Sequence, residues 1–138
     1  MTAFVINILG QTATGNTPPS DSPKSAFGKI VTDATAITAT EYLAFTVGFT
    51  PKYVRIDNAD ALIRVEWFEG MAEDTCFKTL FSTGAVTLET TNKGISVVTA
   101  TTTIAGTTDA SGRTVLVSQN ATLGVVTASD TIYWQARG

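Results

Sequence analysis

The sequence predicts an all-β fold: an antiparallel β-sandwich, jelly-roll-like, or a small β-barrel, with an extended N-terminal arm. Three observations carry this. Threonine occurs 26 times in 138 residues, a heavy bias toward a β-branched side chain that suits a pleated, half-buried surface and suits helices poorly. Apolar residues recur with period two or in short runs, and turn residues return about every eight to twelve positions, the spacing of sandwiches and barrels. Hydrophobic residues make up 43% of the chain and charged ones only 15%, against about 25% in typical soluble domains, so uncharged polar groups must cover much of the surface. At this length one core is expected, because two would leave both halves marginal.

The chain divides into an arm, residues 1–28, and a β-sandwich domain, residues 29–138. Phe4 to Leu9 has the apolar content of a short strand, but the stretch to Gly28 holds Pro18, Pro19 and Pro23 with many Ser and Thr. Such a segment buries too little to order itself. It is either an extended arm, ordered by whatever it lies on, or a disordered tail. Within the body, strands are expected over residues 29–38, 42–49, 52–57, 62–68, 77–81, 86–90, 95–99, 114–118 and 131–136. The clearest is 62–68, where Ile63, Val65 and Trp67 point one way and Arg64 and Glu66 the other. Pro51 opens the strand before it, where a missing N–H costs little. Asn58 to Asp60 is the intervening hairpin turn. Gly70 to Asp74 has room for one helical turn. Asn92-Lys93-Gly94 and Ser111-Gly112 supply residues tolerant of positive φ for tight turns. The run 99–108 is nearly all Thr, Ala and Gly, so its register is weakly specified, and it is an edge strand or a long surface loop.

Composition also narrows function. The net charge of −3, with Lys and Arg scattered singly, offers no field to hold a phosphate backbone, so nucleic acid is not an expected partner. Neither is a membrane: no stretch approaches the ~20 apolar residues of a spanning helix. Residues 1–9 lack the basic start of a signal peptide, which fits folding in a reducing cytoplasm. Histidine is absent, which removes the commonest general base and the commonest neutral metal ligand, and with them Ser/His/Asp and Cys/His chemistry. Cys76 has no second cysteine for a disulfide, zinc or redox pair and is expected to be a small buried apolar residue.

Among carboxylates, Glu66 and Glu69 flank Trp67 and Phe68 as a glycosidase pair might, but in a strand they would face opposite sides of the sheet, and a solvated role is expected. Asp57-Asn58-Ala59-Asp60 is oxygen-rich, yet lacks the glycine and later glutamate of a calcium loop, and is better explained as a turn. No catalytic residue, metal site or cofactor is expected. The strand aromatics Phe45, Phe49, Tyr53, Trp67, Phe68, Phe77, Phe81, Tyr133 and Trp134 are expected mostly in the core.

The run Gly48-Phe49-Thr50-Pro51-Lys52-Tyr53-Val54-Arg55-Ile56-Asp57-Asn58, followed by Glu66-Trp67-Phe68-Glu69-Gly70-Met71-Ala72, resembles small virion proteins of tailed bacteriophages. The ending Ala128-Ser129-Asp130-Thr131-Ile132-Tyr133-Trp134-Gln135-Ala136 does so too, so that the resemblance covers roughly residues 45–138. It implies a structural protein, most like a capsid decoration (cement) protein. Such a protein would bind the major capsid protein on the outer head surface as a homotrimer, after assembly in the host cytoplasm. On that reading the arm residues Thr2, Ala3, Phe4, Val5, Ile6, Asn7, Ile8 and Leu9 are the expected capsid contacts. The region 93–111 is richer in threonine than that pattern. Rival expectations are a tail, neck or head-fibre component, and a carbohydrate-binding module that holds host glycans through exposed Trp or Tyr, with Trp67 and Trp134 as candidates.

Overall fold

A computed structural model of the chain describes residues 24–35, 41–91, 93–99 and 112–138. Among them run nine strands, all paired antiparallel, and no helix. The larger sheet has six strands in the order β1 (Ser25–Val31), β9 (Thr131–Arg137), β3 (Tyr53–Asn58), β4 (Ile63–Phe68), β5 (Cys76–Leu80) and β6 (Val86–Glu89). The smaller has three, in the order β2 (Tyr42–Thr46), β8 (Thr114–Ser118) and β7 (Ile95–Val98). The described residues thus form an open, sandwich-like all-β body.

Alternation places the core. Along β3, Val54, Ile56 and Asn58 are buried while Tyr53, Arg55 and Asp57 are partly exposed, and β9 buries Ile132, Trp134 and Ala136 in the same way. These inner rows meet Leu43, Phe45, Val115 and Val117 of the smaller sheet. The Phe45 and Trp134 rings pack with centroids 4.7 Å apart and join the two layers directly. Three strands cannot cover six. The shortfall is filled by connecting segments, whose Val47, Phe49, Leu123, Val125 and Val126 are all buried in the main core. Tyr42, Ala44, Val98 and Leu116 make a second buried cluster on the opposite face of the smaller sheet.

Every expected strand overlaps an observed one, with instructive shifts at the ends. β1 begins at Ser25, inside the segment read as arm, because the period-two pattern starts earlier: Ala26 and Ile30 turn inward while Phe27 and Lys29 turn out. It ends at Val31, because Thr32 leaves the sheet to bond the 127–130 turn. Residues 70–74 form turns rather than a helical turn, since Gly70 (φ 94°) and Asp74 (φ 61°) both lie in the left-handed region. Most of the weakly specified run 99–108 lies outside the described residues, as do arm residues 1–23.

Two buried polar nodes hold the connections. Asn58, fully buried at the end of β3, donates from Nδ2 to Val125 O (3.0 Å), Thr127 Oγ1 (3.2 Å) and Asp130 Oδ2 (3.0 Å). Its Oδ1 accepts from the backbone N–H of Asp60 (2.9 Å) and Ala61 (2.8 Å), closing the hairpin. Thr127 Oγ1 also bonds Asp130 Oδ2, and Thr32 Oγ1 donates to Thr127 O at 2.6 Å. At the second node Tyr42 donates to Asp74 Oδ2 (2.9 Å), the Asp74 N–H donates to Ser96 Oγ (2.9 Å), and the Gly94 N–H donates to Asp74 Oδ1 (3.2 Å). Gly94 has a steric role here that the sequence did not suggest. A Cβ on it would lie 2.3 Å from Asp74 C and Thr75 N, so only glycine lets the two backbones meet.

Each node yields an expected outcome. Asn58→Ala would leave several buried donors and acceptors unpaired and should cost about 3 kcal/mol in urea-induced unfolding. Gly94→Ala should cost at least about 2 kcal/mol, because the obstructing atoms are backbone and cannot swing aside.

Candidate functional site

The outward face of the six-stranded sheet gathers the surface features that call for explanation. Strand register sets Phe27, Gln135, Arg55, Glu66, Phe77 and Leu88 in one row across it, and Lys29, Tyr133, Asp57, Arg64, Thr79 and Val86 in the next. The middle of the face is a polar ridge. Arg64 grips Asp57 with two hydrogen bonds (Nε 2.8 Å, Nη2 3.2 Å), Arg55 Nε lies 3.5 Å from the same carboxylate, and Tyr53 donates to Glu66 Oε2 at 2.6 Å. Burial and the Glu66 carboxylate push the Tyr53 hydroxyl up to about 12. These pairs are partly exposed, so each contributes no more than about 1 kcal/mol, and their main effect is geometric.

Either side of the ridge is apolar. Toward β5 and β6 stand Phe68, Phe77, Phe81, Val86 and Leu88, all exposed. Phe68 packs against Tyr53 and Phe77 (5.1 and 6.3 Å between centroids), and the Arg64 guanidinium sits 5.1 Å over the Phe81 ring. Toward β1 and β9 stand Phe27, Tyr133 and Val31. Between Phe27, Tyr133 and Arg55 lies an open depression of about 320 Å³, lined also by Asp57 and Gln135, with Gly28 and Trp134 beneath.

The aromatic expectation therefore divides. Phe45, Phe49, Trp67 and Trp134 are core, whereas Phe68, Phe77 and Tyr133 are exposed because each falls on the outward parity of its strand, and Phe81 is exposed in the turn just beyond β5. Trp67 (7% exposed) and Trp134 (2%) face the sandwich interior and cannot act as stacking platforms for a glycan. Phe27, outside the strands expected from sequence, is the most exposed large apolar residue among the described residues, at 77%. The arm residues Thr2 to Leu9 lie outside the described residues.

Three of the four carboxylates weighed for chemistry have structural partners. Glu66 is held by Tyr53, Asp57 by Arg64, and Asp60 accepts from the Thr131 N–H at 2.7 Å. Glu69 lies in the turn beyond β4. Among the described residues no three of His, Cys, Asp and Glu come together as a metal site. Cys76 is buried in the core, where loss of hydration and then the charges of Glu89 and Asp74 push its thiol up to about 12. Comparison with protein-family models, with curated proteins and with solved structures finds no match to this chain.

The raised thiol gives a pH expectation. An unfolded cysteine ionises near 9.0 and the native one near 12, so the native state is favoured below that window and loses this advantage as pH climbs through it. Stability measured by urea unfolding should fall between about pH 9 and 12, with Tyr53 adding to the loss, and Cys76→Ala should flatten part of the slope. At about pH 8 the native thiol should resist a disulfide reagent until denaturant is added.

Proposed function

We propose that this chain is a non-catalytic structural protein of a bacteriophage virion, a decoration protein that binds the major capsid protein on the outer head surface as a homotrimer. The observation that carries the reading is the apolar half-face Phe68, Phe77, Phe81, Val86 and Leu88, five large side chains left in solvent on and beside β6, the edge strand among the described residues. A contiguous patch of this kind marks a surface that a protein partner covers. Further support comes from the segments that resemble virion proteins: they form β3, the end of β4 and its turn, and β9 with its preceding turn, all in the interior of the large sheet. Absence of histidine, and the commitment of Glu66 and Asp57 to structural partners, favour a scaffold over a catalyst. A few copies of a modest contact, repeated on a symmetric lattice, gain affinity through avidity.

The test is co-sedimentation with expanded empty heads that lack this protein, made by the phage that encodes it. Saturable binding in multiples of three per symmetric site is the expected result. Leu88→Glu, at an exposed position, should weaken binding at least about tenfold without altering thermal unfolding. Finding the protein on tails and never on heads would overturn the reading.

A further inference from the structure

The other half of the outward face points to a ligand of different chemistry. Phe27 and Tyr133 stand on adjacent strands, 77% and 48% exposed, on either side of the depression. Arg55 lies two strands from Phe27 in the same row, about 10 Å away at the usual strand spacing. Its one close partner among the described residues is Asp57, through Nε alone at 3.5 Å, so its terminal Nη groups are available as donors. The Gln135 amide, oriented so that its oxygen accepts from Arg137 (3.0 and 3.2 Å), keeps its NH2 as another. Asp57, the one carboxylate in the lining, is already bound by Arg64 through both oxygens. The site is thus rich in donors and poor in acceptors.

Its charge is also unlike that of the molecule. The chain carries −3, yet among the described strand residues this face presents Lys29, Arg55, Arg64 and Arg137 against only Asp57 and Glu66. An anionic oxygen is what such a site attracts. The two exposed rings ask in addition for a ligand with an apolar ring face. The depression is shallow and crosses the strands, so it does not enclose a small metabolite, which needs most of its surface buried. Nor does it suit a peptide added to β1, which would run along the strands. A chain of sugar rings meets all of these conditions.

We infer that the depression formed by Phe27, Tyr133, Gln135 and Arg55 binds an acidic sugar residue of a glycan chain, its ring against the aromatic pair and its carboxylate on Arg55. This site is separate from the apolar half-face assigned to the shell, so it stands or falls independently of the decoration reading.

The experiment is a titration of the full chain with a hexuronic-acid oligosaccharide and with a neutral oligosaccharide of equal length, followed by calorimetry and by NMR shifts. The acidic chain should bind at least about tenfold more tightly than the neutral one. Phe27→Ala and Tyr133→Ala should each weaken binding at least about tenfold, and Arg55→Gln should abolish the preference for the acidic chain, with thermal unfolding unchanged in all three. Four results would overturn the site: no binding of either oligosaccharide, equal binding of both, variants that bind like the parent, or loss of an oligomer by light scattering in Phe27→Ala, which would make this half a contact between copies.

Discussion

A sheet of six strands faced by a sheet of three must find cover for the remainder of its inner surface, and this mismatch governs the rest of the body. The cover comes from connecting segments. Leu123, Val125 and Val126 carry no regular structure of their own, yet are as buried as any strand residue. Loops gain no ladder hydrogen bonds, so something else must fix them. Asn58 does so, because it sits at the end of a central strand and its amide can bond a hairpin on one side and the 125–130 segment on the other. One buried side chain replaces several ladder bonds, and its position in β3 ties the loops to the register of the whole sheet.

The same asymmetry explains the surface. The inner rows of the large sheet are spent on the core, while its outer rows have no second layer among the described residues. Residues on outward parity there are not filler. The register brings Arg64, Asp57 and Arg55 side by side in the middle, and that ridge separates an uncharged apolar half from a cationic half with a depression. Two surfaces of different chemistry share one sheet without overlapping. A chain that relies on packing and polar pairs, with no disulfide, can expose such a sheet because its main core lies on the other side.

The strands were legible in the sequence because period-two alternation survives any tertiary arrangement: Ile63, Val65 and Trp67 would face inward in any sandwich. Neither sheet order nor partition was legible. That β9 inserts between β1 and β3 depends on contacts across a hundred residues, on which local spacing is silent. The aromatics were misread as mostly core for a related reason. Parity says that Phe77 and Phe68 share a side with Glu66 or lie next to it, but hydrophobicity alone pulls each toward the interior. Phe27 lies at the end of the Pro- and Gly-rich stretch through Gly28, whose composition hides the inward alternation of Ala26 and Ile30. Gly94 carried a turn signal in sequence, whereas its actual constraint, an approach of two backbones, leaves no local trace.

The place of β9 has a consequence for how the molecule is made. It is the last of the nine described strands in sequence and the second in the large sheet, bonded to the first strand on one side and to the third on the other. Until β9 is made, β1 has no partner among the described residues and β3 has one bare edge, so the large sheet cannot close before it. From the synthesis of β3 until that of β9, growing chains therefore carry two open, β-rich edges, and a product truncated before β9 keeps them for good. In a crowded cell, such edges invite pairing with other chains, and the step that ends this exposure is the insertion of β9 between β1 and β3.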